Sequence, residues 1–249
     1  MSCWLKPLSL PLALAALLLL TAGCGSSGQS QVRLINAIPD GQPADIYING
    51  TRVIENFTFG QVYPRPATPV AYLPVATGTA SIQAYPPAQT TNPVSPTGSV
   101  TFVGATQYTV LAAGLELSDY PPVLITDDNT PPSAGNVEVR VINASVNSPT
   151  HGVDVYIVPP GADITNYEAQ IFGLSYTQAS TYQPIPFAAG GYAVIFTANK
   201  SKEVIFSWPP QGVGGFTPQS GSITTFVLMD NAGGTSGMSD TPLVLNDLN

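Results

Sequence analysis

Ala44-Asp45-Ile46-Tyr47-Ile48-Asn49-Gly50 decides the fold. Its apolar side chains at 44, 46 and 48 alternate with Asp45, Tyr47 and Asn49, the period of a strand that buries one face and wets the other. Asn49-Gly50 then supplies two residues that tolerate the positive φ angles of a tight hairpin turn. A second stretch, Val153-Asp154-Val155-Tyr156-Ile157, has the same alternation and the same Asp-x-Tyr-Ile core.

Outward from these two stretches the likeness continues, the signature of an internal repeat. Val32-Arg33-Leu34-Ile35-Asn36-Ala37 precedes the first and Val139-Arg140-Val141-Ile142-Asn143-Ala144 the second. Phe59-Gly60 aligns with Phe172-Gly173, Gly78 with Gly190, and Val110-Leu111 with Val227-Leu228. Each copy closes on a Pro-x-x run, Pro122-Val123-Leu124 and Pro242-Leu243-Val244. Residues 107–115 and 222–229 are more continuously apolar, as suits central strands packed on both faces. No segment after the N-terminal apolar run has a helical period, and the frequent prolines there would interrupt one. The expected fold is all-β: two tandem antiparallel β-sandwich domains, immunoglobulin-like or transthyretin-like, over 31–130 and 137–249, with 131–136 as linker.

Only 9% of the 249 residues are charged, and 7 basic against 15 acidic side chains give a net charge of −8. A binder of the nucleic-acid backbone needs clustered Lys and Arg, so nucleic acid is excluded as a partner. Gly and Pro are frequent, 23 and 25, yet 44% of the chain is hydrophobic, which is enough for a folded core.

Lys6 is followed by a Leu- and Ala-rich run over 8–20, shorter than a membrane span and ending in small residues, which reads as a signal peptide over 1–23. Leu20-Thr21-Ala22-Gly23-Cys24 resembles the lipobox of bacterial lipoproteins. The resemblance implies cleavage before Cys24, a diacylglyceryl thioether on its sulfur and acylation of the new N-terminus. It also implies an envelope location, the outer membrane in a didermal cell because Gly25 is not Asp. Cys3 is removed with the signal, so no cysteine pair is left to form a disulfide. Residues 24–30 are read as the lipidated cysteine and a Gly/Ser tether.

The segments Arg33-Leu34-Ile35-Asn36-Ala37, Pro39-Asp40, Asp45-Ile46-Tyr47-Ile48-Asn49-Gly50, Phe59-Gly60, Tyr72-Leu73-Pro74 and Asp127-Asp128-Asn129 together resemble the bacterial domain-of-unknown-function family 4397. Members commonly begin V-R-V-x-H-A-S-P-D-A-P-x-V-D-V-Y-x-N-G and occur as repeats in secreted or anchored proteins. This chain has Asn36 and Asn143 where the family usually has His. No activity comes with the resemblance.

Arg33 with Asp45, and Arg140 with Asp154, recur in both copies and are expected to form cross-strand ion pairs on the polar face. His151, the single histidine, reads as a loop residue; one His and a lipidated Cys24 do not make a zinc site. Asp127-Asp128-Asn129, with Asp40 or Asp119, offers oxygen ligands for Ca²⁺ or, equally, ordinary turn residues. Trp208-Pro209-Pro210 and Tyr85-Pro86-Pro87 place rigid aromatics where they either contact a ligand or cap a core. No cofactor motif is present, and the chain is not expected to be an enzyme. The reading is a lipid-anchored envelope protein serving as a structural or protein-interaction module. The alternatives are a carbohydrate-binding lipoprotein using Trp208 or Tyr85, and a hydrolase built on carboxylates alone.

Overall fold

The computed structural model describes residues 28–65, 71–94, 97–116, 121–210, 214–234 and 237–248. Nine strands come first: β1 (Ser30–Ala37), β2 (Ala44–Ile48), β3 (Thr51–Phe57), β4 (Val62–Tyr63), β5 (Leu73–Val75), β6 (Gly78–Tyr85), β7 (Gly98–Phe102), β8 (Gln107–Ala113) and β9 (Val123–Asp127). Eight follow: β10 (Asn136–Asn143), β11 (Val153–Val158), β12 (Ile171–Leu174), β13 (Gln183–Pro186), β14 (Ala193–Ala198), β15 (Val204–Trp208), β16 (Ile223–Leu228) and β17 (Leu243–Leu248). The described residues contain one 3₁₀ turn, Ile164–Asn166, and no α-helix.

Four sheets result. The first sandwich pairs an inner sheet, β4-β1-β8-β9 with β5 also on β1, and an outer sheet, β3-β2-β6-β7. The second half has the same strand order, β13-β10-β16-β17 inside and β12-β11-β14-β15 outside. All pairings are antiparallel except β1 with β8 and β10 with β16. The Asn49-Gly50 turn joins β2 to β3 with φ of 50° and 75°, as the sequence demands.

The alternation in β1 sorts its side chains into two layers. Val32 and Leu34 face the first outer sheet, in a core with Ile46, Ile48, Ile82 and Phe102. Ile35 and Ala37, on the other face, meet Leu111, Ala113 and Ile125 from their own sheet and Ile142, Ala144, Val227 and Leu245 from the second inner sheet. A third core fills the second sandwich around Val139, Val155, Phe196 and Phe226. The four sheets therefore stack outer, inner, inner, outer around three apolar layers. Strands β8 and β16 are buried on both faces, which is why they read as continuous apolar runs.

Contacts at both ends fix how the sandwiches lie together. Arg33, near the start of β1, reaches Asp247 on β17, and Gly233 N–H, beyond β16, donates to Pro39 O, beyond β1, at 2.6 Å. Strands β1, β8, β10 and β16 thus run in the same sense, side by side. Their N-terminal ends share one end of the molecule, called here the proximal end.

Candidate functional site: a crossed ion cluster between the sandwiches

Arg33 and Arg140, each 1% exposed, point into the middle layer at the proximal end of its apolar contacts. Arg33 is bonded through Nη1 and Nη2 to the two carboxylate oxygens of Asp247, the second at 3.3 Å. Arg140 Nη1 donates to Asp127 Oδ1 at 2.8 Å. Each sandwich's arginine therefore holds the other's aspartate. Within each sheet a threonine closes the circuit: Arg33 Nε donates to Thr109 Oγ1 at 2.7 Å and Thr109 donates to Asp127, while Arg140 Nε donates to Thr225 Oγ1 at 3.1 Å and Thr225 donates to Asp247. Tyr72 lies against the Arg33 guanidinium, 5.7 Å from its ring centre, and Tyr182 against Arg140 at 4.6 Å.

Two cations and two anions make the cluster neutral, and every carboxylate oxygen has a donor. That is the arrangement in which buried charge is tolerated. Burial opposes the charge on Arg33, but Asp247 and Asp127 outweigh it and hold its pKa above the ordinary arginine value. Burial likewise pushes the Tyr72 phenol well up and Tyr182 to about 12. The Arg33 guanidinium and the two phenols stay protonated at neutral pH, so their role is to fix position.

The expected pairs, Arg33 with Asp45 and Arg140 with Asp154, do not form. The arginines lie on the inner sheets, facing the other sandwich, whereas the aspartates lie on the outer sheets. Asp45 accepts from the backbone N–H groups of Asn56 (3.0 Å) and Ala88 (3.2 Å), and Asp154 from those of Gly173 and Lys200, both 2.7 Å. All four donors belong to residues with φ between 50° and 65°. Each aspartate is a cradle for two left-handed backbone positions, and the Asn56 N–H, with Ala88 and Arg52, holds the Asp45 carboxyl below the usual range. The asparagines are equally engaged. Asn36 Nδ2 donates to Phe57 O and Asn143 Nδ2 to Leu174 O, tying inner to outer sheet, while their Oδ1 atoms accept from Ile38 N and Ser145 N.

The remaining candidates are dispersed. Trp208 is half-buried, packing edge-on against Phe226 at 5.3 Å and beside Phe216 at 5.5 Å. A groove of about 340 Å³ runs past Pro209, Pro210, Gly161 and Ala162, and Trp208 is not part of its lining. Tyr85 stands edge-on to Tyr47 at 5.3 Å on the first outer sheet, in the other sandwich. His151 is exposed in the turn before β11. Asp127 belongs to the ion cluster, Asp128 caps Thr130 N–H, Asn129 donates to Tyr72 and Gln107, and Asp40 accepts from Glu116 N–H. The Ca²⁺ grouping is therefore not assembled; Asp119 lies outside the described residues, as does Cys24. Among the described residues no three His, Cys, Asp or Glu are placed to hold a metal ion.

Sequence reasoning missed Asp247, Thr109 and Thr225, and read Asp127 only as a turn or metal ligand. The signal was there: Thr109 and Thr225 are polar residues inside apolar strands. Gln29, Gln31, Thr106, Gln107, Asn129 and Thr130 line a groove of about 520 Å³ beside the cluster at the proximal end.

The site is thus a neutral, buried ion cluster joining the two halves of a paired β-sandwich. The family is also shown: the chain belongs to the family described as Domain of unknown function (DUF4397), whose model matches residues 30–156, from the first residue of β1 into β11. No curated protein matches it. A solved streptococcal structure, described as "Alpha-glucan binding by a streptococcal virulence factor", is similar at 13% identity over 86% of this chain and 95% of that one, with a TM-score of 0.26.

Proposed function

We propose that this protein is a lipid-anchored, non-catalytic module of the bacterial cell envelope, built of two copies of the family's unit, that holds a rigid all-β body close to a membrane. The observation that carries the reading is that Arg33, Asn36 and Asp45, and their counterparts Arg140, Asn143 and Asp154, are all buried and engaged in internal hydrogen bonds, with the one unbonded donor, Arg140 Nη2, enclosed 3.5 Å from Asp247. The half-buried Trp208, seated on Phe216 and Phe226, acts as a cap on the second core, which supports a structural over a glycan-stacking role.

The anchor itself rests on the sequence Leu20-Thr21-Ala22-Gly23-Cys24. Two or more acyl chains hold a protein on a bilayer where one does so only marginally. Cys24→Ser is therefore expected to move the protein from the membrane fraction to the soluble fraction or the medium. A variant that still sediments with membranes, and releases no soluble form, contradicts the anchor.

A further inference from the structure

We propose that the proximal end of the paired sandwich is a lipid-contacting surface, with 103–106 of the first sandwich and 187–191 of the second resting on a zwitterionic bilayer. The proposal rests on the Cys24 anchor and adds to it a fixed orientation of the folded body.

The chain is already pinned four residues after Cys24. Gly28 O accepts from Ala105 N–H at 3.2 Å, Ser30 Oγ donates to Val103 O at 2.7 Å, and Gln31 N–H donates to Thr106 O at 2.9 Å. A side chain on Gly104 would place its Cβ 2.6 Å from Gly28 O, so the glycine is what lets the strap lie flat on this turn. A fully extended chain covers about 3.3–3.6 Å per residue, which keeps Gly28 within about 14 Å of Cys24. With acyl chains on that sulfur, the Val103 turn has no room to stand far above the headgroups.

Because β1, β8, β10 and β16 run in the same sense, the second sandwich faces the same way. Phe187 N–H donates to Gly135 O at 2.8 Å, just before β10, so this turn lies at the proximal end as well. Val103 is 62% exposed and Phe187 41%, one bulky apolar side chain from each sandwich. Residues 103–106, 128–135 and 187–191 contain no Lys or Arg, and Asp128 is their only charge. Such a surface has no attraction for anionic lipid and suits neutral or zwitterionic headgroups. The exposed Lys200, in the turn that ends β14, lies at the opposite end, about 20 Å away by strand length.

The test uses the lipidated full chain in phosphatidylcholine vesicles carrying a nitroxide on the headgroup of a fraction of the lipid. In a Trp208→Phe background, tryptophan is placed by Val103→Trp or by Lys200→Trp. Emission from position 103 is expected to be quenched several-fold more than emission from position 200. Equal quenching, or stronger quenching at 200, overturns the orientation. As a second readout on the unsubstituted chain, amide exchange at 103–106 and 187–191 slows on vesicles while 199–203 is unchanged; the reverse pattern again overturns it. Failure of the chain to float with vesicles instead removes the anchor, and this proposal with it.

Discussion

Asp247→Ala is expected to lower the unfolding free energy by about 3–5 kcal/mol, the cost of leaving a buried charge without its partner. Asp247 bonds the Arg33 guanidinium through both oxygens and accepts from Thr225, all in a layer closed to water. The substitution leaves Arg33 with Thr109 and, as its remaining counter-charge, Asp127, 3.4 Å from Nε. Denaturant unfolding of the variant against native protein measures the loss, with the exposed Asp240→Ala as a control expected to stay within about 0.5 kcal/mol. Replacing both partners, Arg33→Met with Asp247→Leu, is expected to recover most of the loss, since apolar pairs of similar volume serve as well as buried ion pairs. A loss below about 1 kcal/mol for Asp247→Ala would show that the cluster does not hold the sheets together.

Leu111→Ala should cost about 2–5 kcal/mol, the range for emptying a fully buried leucine site. Leu111 is wholly buried in the middle layer among Ile35, Ile142 and Val227, so the cavity opens between the sandwiches. The informative feature is where the loss is seen. Trp208 belongs to the second sandwich, in the core on the far side of its inner sheet, and is the only tryptophan among the described residues. Its emission should report an unfolding midpoint shifted as far as the midpoint seen by far-ultraviolet circular dichroism. A Trp208 midpoint that stays put while the ellipticity midpoint moves would mean that the sandwiches unfold separately.

Strands and turns were legible because one-sided burial writes itself as alternation, as in Ala44-Ile46-Ile48 and the Asn49-Gly50 turn. The double burial of β8 and β16 was legible too. What covers their second face was not. A run such as Val110-Leu111-Ala112-Ala113 says that both faces are dry, but it does not say that the second sandwich dries one of them. The same blindness assigned Arg33 to solvent and to Asp45. An arginine on the unassigned face of a strand reads as exposed until a third layer is known, and the Arg33–Asp247 pair spans more of the sequence than any local pattern can reach.

The register of the internal likeness was legible only in part. Gly60 N–H bonds to Asn36 O and Thr177 N–H to Asn143 O, so Phe59-Gly60 corresponds to Tyr176-Thr177 and not to Phe172-Gly173. Arg33 stands beside Thr109 and Arg140 beside Thr225, which sets Leu111 against Val227, one residue from the alignment by letters. In a strand one residue is a whole face. Residue identity misled where geometry needed only a left-handed residue or an apolar one. The aspartate and asparagine motifs have that geometric origin: Asp45 and Asp154 hold left-handed backbone amides, and Asn36 and Asn143 tie sheet to sheet.

The middle layer and its crossed ion pairs make the two sandwiches one cooperative body. Scanning calorimetry of the folded chain tests this most directly. A single transition whose calorimetric and van't Hoff enthalpies agree is the predicted result. Two resolved transitions, or a calorimetric enthalpy near twice the van't Hoff value, would contradict it.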